Sequence, residues 1–593
     1  MTALKEKPAP ALTQAAAEPV ASLRNLHISL ERNGVRSDVL KGIDLEIGTG
    51  EIVGIVGESG SGKSVMTMSM MKLLPESSRP HINGEIRAAG HDMSAISPKA
   101  LRELRRHRIG VVFQDPMTSL NPTMHVGSQI TEKSGSAEES IRLMEAVGIP
   151  EPRRRYRSYP HELSGGQRQR AMIAMAVAGD PELIIADEPT TALDVTVQAQ
   201  VLALLKQTQQ RLGCSVVMVT HDLGVAGQIA DRIVVMNAGE IVEQGPSHQI
   251  LSAPQADYTK RLLAARLSLD VPGPPPAPGR DLEGEPLIAA HDIECTFAVR
   301  DEKGRRTTLR ALRGVTLYVQ PGESIAVVGE SGSGKSTILR AVGGLQKKIA
   351  SGTITGPTSP DVQMVFQDAG SSLTPWMTVR EMLLERFPRS VGADERRERI
   401  ADMIGHVGLP LSVLDAKPGE LSGGQRQRVV LARATIVPPK VLLCDEPTSA
   451  LDVSVAAEVL ELINQLRIEL SIAVVFVTHD LAVARMVSDR IAVVHHGRVV
   501  ELGPADSIID DARHPYTRQL LAAVPDPRRP PGDAVVAHQG AGPPEGYTFD
   551  RPAGYGEGPL PDDQEADLIA LSTAVPRALR HSVACFVPEG SGR

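Results

Sequence analysis

Residues 51–64 read EIVGIVGESGSGKS, and residues 323–336 read ESIAVVGESGSGKS. Each is an apolar run of strand length, then a glycine-rich turn, then a lysine and a hydroxyl residue that open the next segment. The glycines let backbone N–H groups close on an anion at a helix N-terminus, where the helix dipole favours negative charge. In the spacing GxxxxGK[ST] the lysine reaches β- and γ-phosphates and the hydroxyl ligates Mg2+. The candidate phosphate-binding residues are Gly57, Glu58, Ser59, Gly60, Ser61, Gly62, Lys63, Ser64 and Val65, with Gly329, Glu330, Ser331, Gly332, Ser333, Gly334, Lys335, Ser336 and Thr337 in the second copy. A chance glycine turn would not return 272 residues later, from Lys63 to Lys335, with the same eight letters.

The repetition extends well beyond this turn. LSGGQRQR occurs at 163–170 and 421–428, DEPTTALD at 187–194 echoes DEPTSALD at 445–452, and VTHDL ends at Leu223 and at Leu481. From Ser164 to Ser422, Glu188 to Glu446, His221 to His479 and Tyr258 to Tyr516 the offset is always 258. Between 161–194 and 419–452, 19 of 34 positions are identical. A period of this length means a duplicated domain, since solenoid repeats recur every 20–50 residues. The expected organisation is a disordered lead-in (1–20), a first domain (21–265), a proline-rich extended linker (266–285), a second domain (286–525) and a Pro/Gly-rich tail (526–593) with a short helix near 565–574. LIIADEP and VLLCDEP are continuous apolar runs ending in acids, as in strands buried on both faces, and their alternation with helical segments implies an α/β core with a parallel sheet.

Composition narrows the function. Of 593 residues, 63 are basic and 71 acidic, a net charge of −8, which disfavours a nucleic-acid binder held by a broad basic surface. Four cysteines exclude a disulfide scaffold and suit a reducing compartment. No stretch approaches the ~20 apolar residues needed to span a bilayer, and the N-terminus has no signal-peptide core. The chain is therefore expected to be cytoplasmic. Met66, Met68, Met70 and Met71, and the cysteines Cys214, Cys295 and Cys444, are expected to be core packing rather than ligands.

The acids carry the next inference. Asp187 and Asp445 end buried strands, where a carboxylate can complete a Mg2+ shell with Ser64 and Ser336. Glu188 and Glu446 follow directly, placed to polarise a water that attacks the terminal phosphate.

Phosphate loop, LSGGQ, DEPT and THDL, in this order and twice over, resemble the ATP-binding cassette (ABC) ATPases. The resemblance implies tandem cassettes, each with a RecA-like α/β core, an antiparallel β-subdomain and a helical signature subdomain. It implies ATP and Mg2+ as the bound pair, and two cassettes meeting head to tail so that LSGGQ of one covers the ATP on the loop of the other. The signature residues are then Ser164, Gly165, Gly166 and Gln167, and Ser422, Gly423, Gly424 and Gln425. By the same resemblance Gln114 and Gln367 are the glutamines that touch Mg2+ and relay to a membrane partner, and His221 and His479 contact the γ-phosphate. Asp194 and Asp452 are in the loops that cross between cassettes. Phe297 stands where the family places an aromatic against adenine, while the first copy has Leu30 there. Lys63 to Gln114 is 51 residues but Lys335 to Gln367 only 32, so the second β-subdomain should be trimmed.

FQDPMTSLNP, HELSGGQRQR and HPYTRQLLAAVP (514–525), the last echoed as ADYTKRLLAA at 256–265, resemble the peptide and nickel importer ATPases. That group implies two transmembrane permease subunits, an extracytoplasmic substrate-binding protein met only indirectly, peripheral attachment at the cytoplasmic face of the membrane, and no contact with nucleic acid or with the transported solute. Peptide import is the expectation, with nickel or another small solute as the alternative. A twin-cassette translation factor is the alternative of another class, although such proteins show NHLD where this chain has TALD and SALD. The tail holds a single cysteine, Cys585, too few for the four thiolates of a [4Fe–4S] cluster.

Overall fold

The computed structural model describes residues 18–32, 34–191, 193–264, 269, 271, 273–274, 284–300, 306–346, 349–449, 451–525, 566–570 and 582–586. The expected disordered lead-in lies outside these except for residues 18–20, and so do most of the linker and most of the tail. The described residues form two compact units, one mainly of the chain up to Arg266 and the other mainly of Leu267–Val524.

In the first unit the continuous apolar runs become a six-stranded sheet in the order Glu240–Pro246, Arg232–Asn237, Ile52–Val56, Ser215–Thr220, Leu183–Asp187 and Ile109–Val112. All neighbours are parallel except the Glu240–Pro246 edge strand. Every residue of Ile52–Val56, Leu183–Asp187 and Ser215–Thr220 is buried, as a sheet covered on both faces requires. A second, antiparallel sheet (Val35–Ile47, Ala21–Arg32, His81–Ala88, His91–Asp92) packs over it, with Leu23, Ile28, Leu40, Val53, Ile55, Met66 and Met70 between the two. On the opposite face Val126–Ser134, Ala137–Ala146 and Gly165–Val177 form the helical part, whose core includes Ile130, Met144, Ile173 and Val112. Met66, Met70 and Met71 are buried, as are Cys214, Cys295 and Cys444, so all six are packing residues.

The second unit repeats the plan. Val362–Val365, Val441–Asp445, Ala473–Thr478, Ser324–Val328 and Arg490–His495 are parallel neighbours in that order, and Arg498–Pro504 joins antiparallel. Its antiparallel sheet has three strands, Arg306–Val319, Ile288–Arg300 and Ser351–Thr355. Among the described residues it has no counterpart of the His91–Asp92 strand, the Pro98–Glu103 helix or the Leu104–Arg108 π-turn of the first unit. That is where the sequence is shorter, and the trimming expected from the spacing is seen.

The tail corrects one expectation. Ala566–Ala570 is a strand rather than the start of a helix, paired antiparallel with Ser582–Phe586, which in turn pairs with Arg498–Pro504 through Glu501 and Leu502. Pairing at a sheet edge overrides local helical preference in so short a segment. No helix among the described residues is long and apolar enough to cross a membrane.

Candidate functional site

Each phosphate loop sits between the central strand (Ile52–Val56, Ser324–Val328) and the helix that begins at its lysine (Lys63–Met70, Lys335–Val342). Glycine is required where the loop approaches backbone. A Cβ on Gly57 would lie 2.2 Å from the Met236 carbonyl oxygen, and one on Gly329 would lie 2.1 Å from that of Val494. Gly62 and Gly334, which cap the helices, adopt φ of 98° and 108°.

The lysines curl back into their own loops. Lys63 Nζ donates to the carbonyls of Gly57 (2.6 Å) and Glu58 (2.7 Å), and Lys335 Nζ donates to those of Gly329 (2.8 Å) and Glu330 (2.9 Å). Both lysines are only 6% exposed, and burial lowers the Lys335 pKa. A buried ammonium held on neutral carbonyls is a cation ready for an anion.

The hydroxyl and the strand-end acid meet as the spacing expects. Ser64 Oγ donates to Asp187 Oδ1 at 3.3 Å, and Ser336 Oγ donates to Asp445 Oδ1 at 3.0 Å. Burial raises the pKa of both aspartates, and the adjacent Glu188 or Glu446 adds to it. A hydroxyl, a carboxylate and a nearby glutamine amide oxygen are the hard donors that suit Mg2+. A divalent cation would also relieve the crowding of two acids, so these residues fit the metal.

Glu188 and Glu446 gather the remaining groups. Gln114 Nε2 donates to Glu188 Oε2 at 2.7 Å, and His221 Nδ1 is 3.5 Å from Oε1; Gln367 Nε2 donates to Glu446 Oε2 at 3.2 Å, and His479 Nδ1 is 3.4 Å from the same oxygen. Burial pushes each glutamate pKa up, but the hydrogen bond and charge of the facing histidine, helped by the loop lysine and at Glu188 by the Thr191 hydroxyl, outweigh it and both are lowered. His479 shows the reciprocal effect: burial opposes its charge, Glu446 favours it, and its pKa is raised. Both glutamates have φ of 45°, an uncommon left-handed backbone for a residue with a side chain. The histidines are fixed between strand and helix, because Asp222 Oδ1 accepts from Gly224 N (2.6 Å) and Asp480 Oδ1 from Ala482 N (2.8 Å), capping the helices that follow.

The signature segments start the helices Gly165–Val177 and Gly423–Thr435. Ser164 Oγ accepts from Gln167 N (3.3 Å) while Ser164 N donates to Gln167 Oε1 (3.2 Å); Ser422 and Gln425 do the same at 3.3 and 2.9 Å. The glutamine of LSGGQ is thus the reciprocal half of a capping box that shapes its helix start. Phe297 is 37% exposed on Ile288–Arg300, whereas Leu30 is half-buried against the β-subdomain core.

Three residues at the sites carry no clear sequence signal of their role. Thr191 Oγ1 donates to Glu188 Oε2 at 2.8 Å, for which the TT in DEPTT is the only letter-level trace. Tyr258 and Tyr516 lie against the phosphate loops, although the ADYT and HPYT strings suggested only a family label.

The profile described as "ABC transporter" matches residues 40–191 and 312–449, and that described as "Oligopeptide/dipeptide transporter, C-terminal region" matches 242–305 and 500–549. The chain is 41% identical over 535 residues to the peptidoglycan transport ATP-binding protein YejF of Agrobacterium fabrum, covering 85% of this chain and 96% of that protein. It is 40% identical over 564 residues to the glutathione import ATP-binding protein GsiA of Salmonella typhimurium, covering 86% and 90%. Among solved structures, the RNase-L inhibitor aligns with 79% of this chain and 89% of its own at a TM-score of 0.53 and 21% identity, a likeness of fold alone.

Proposed function

Because the chain belongs to the ABC transporter family of ATP-binding proteins, and is therefore an ATPase, we propose that it powers a membrane importer of peptides or peptide-like solutes. The observation that carries this is the double match to the oligopeptide/dipeptide transporter C-terminal region, at 242–305 and 500–549, in a chain already paired with two cassettes. Full-length relatives named for peptidoglycan transport and glutathione import support the same solute class. The chain would sit at the cytoplasmic face, docked on two permease subunits that receive solute from an extracytoplasmic binding protein.

In this reading Lys63 and Lys335 leave the loop carbonyls for the β- and γ-phosphates of ATP. Ser64, Asp187 and Gln114, and Ser336, Asp445 and Gln367, would hold Mg2+, which neutralises charge on the phosphate oxygens. Glu188 and Glu446, held ionised by their partners, accept a hydrogen bond from the attacking water and orient it. His221 and His479 present a donor towards the γ-phosphate, while the LSGGQ helix starts supply a further anion-binding N-terminus. Phe297 packs the base in the second site. Solute never meets these residues.

Co-expression with the candidate permease subunits, followed by purification from detergent-solubilised membranes, tests the proposal. The chain should co-purify with them, and peptides or glutathione-like thiols should stimulate ATP turnover in the reconstituted complex. Stimulation by nickel alone, or co-purification with ribosomes in place of permeases, would overturn it.

A further inference from the structure

The phosphate loops are held from a side that the catalytic reading does not use. Glu58 N–H donates to Tyr258 Oη at 3.3 Å, and Glu330 N–H donates to Tyr516 Oη at 3.0 Å. These tyrosines are 200 and 186 residues after their loop partners, on the helices Asp257–Ala264 and Pro515–Ala523. Each helix start is itself fixed. Glu243 accepts from the N–H groups of Gln255 (2.7 Å) and Ala256 (3.1 Å), and Glu501 from those of Arg513 (2.7 Å) and His514 (3.1 Å). Tyr516 is 5% exposed, with its ring 3.9 Å from that of His495 between centroids, and its burial keeps the phenol protonated.

The residue so held is clamped twice. The amide of Glu58 or Glu330 goes to the tyrosine, and its carbonyl accepts from the loop lysine. When the lysine moves to phosphate that carbonyl loses its cation, and the tyrosine bond is left to keep the loop in shape. We propose that Tyr258 and Tyr516 are positioning residues that hold the first turn of each phosphate loop in its binding shape while the lysine transfers to the nucleotide. The same arrangement in both units, reached through the same glutamate and the same helix, argues against accident. The proposal rests on the reading of these loops as ATP sites.

Tyr516→Phe and Tyr258→Phe in the full chain keep the ring and delete only the acceptor oxygen. The Kd for mant-ATP, kcat and melting temperature are measured, and bound nucleotide is assigned to each half by 8-azido-ATP crosslinking. For Tyr516→Phe the Kd should rise roughly 2- to 10-fold, the range one net hydrogen bond supports. The labelling loss should be confined to the second half, with kcat within about twofold and the melting temperature unchanged. Tyr258→Phe should show a smaller rise in the first half, since its bond is longer. A Kd equal to wild type in both variants overturns the proposal. So does a rise in Kd accompanied by falling kcat and melting temperature, which marks general loosening. If wild type itself fails to bind mant-ATP, the ATP-site reading fails first and takes the proposal with it.

Discussion

In the first unit Gln209 donates its amide to the Gly50 carbonyl at 2.6 Å, near an exposed Asp231 that accepts from Ile52 N. At the same place in the second unit stands Arg467, its side chain fully buried and paired at 2.8 Å with Asp489, which accepts from Ser324 N. Ala256 and His514 make the same contrast at the starts of the tyrosine helices, and Leu30 and Phe297 at the expected base contact. The lysine–carbonyl, serine–aspartate and glutamine–glutamate contacts, by comparison, recur in both units within half an ångström. Packing has drifted where partners could change together. The groups that would meet the phosphates and Mg2+ have not, because each must meet several others at once.

The largest test asks whether the two sites are chemically equal. Glu188→Gln and Glu446→Gln each remove the carboxylate proposed to polarise water and keep the proposed phosphate cradle, so each variant should retain ATP and lose turnover by about 10²- to 10⁴-fold. Steady-state hydrolysis and retained-nucleotide assays read this. Turnover intact in Glu188→Gln but abolished in Glu446→Gln would make the first site degenerate.

Arg467→Gln gives the second unit the first unit's side chain without the first unit's exposed aspartate. Asp489 would then remain buried without its cation, at a cost of about 3–5 kcal/mol. Urea denaturation measures it, and a change below 1 kcal/mol would show that the two arrangements are interchangeable.

A pH contrast is next. His514 is buried, which lowers its pKa from 6.5 to about 4 against a weaker opposing pull from Glu501. The folded chain therefore refuses a proton that the unfolded chain accepts. Stability should be full above pH 6.5 and fall as pH drops towards 4, by on the order of 3 kcal/mol. Unfolding curves at pH 7 and pH 4.5 for wild type and His514→Ala should show the steeper loss in wild type. Equal slopes would remove His514 as the cause.

The smallest expected effect is at the base. Phe297→Leu copies the first site and should weaken nucleotide binding in the second half by ~0.5–1.5 kcal/mol. Site-mapped 8-azido-ATP labelling should then become equal in the two halves, and an unchanged ratio would place the adenine elsewhere.

Most of this was legible because its constraints are local. GESGSGKS folds into its tight turn through the short-range demands of Gly57 and Gly62, and the strand-end acids are marked by the apolar runs before them. The 51- and 32-residue spacings likewise announced the trimmed sheet. The tyrosines were hidden because their partners are backbone amides far away in sequence, and a backbone amide leaves no letter to read. The Ala566–Ala570 strand was hidden for a similar reason: its only reason to be a strand is the edge it pairs with. The buried Arg467–Asp489 pair was hidden too, because the two residues are 22 apart and only the fold brings them together.

The left-handed backbone at Glu188 and Glu446 sets stability against function. Such a conformation costs an L-residue roughly 1–2 kcal/mol that glycine would not incur. A laboratory evolution campaign rewarding heat resistance alone would therefore favour glycine at these two positions, among the earliest gains available, and would deliver a sturdier protein without the carboxylates proposed to orient the attacking water.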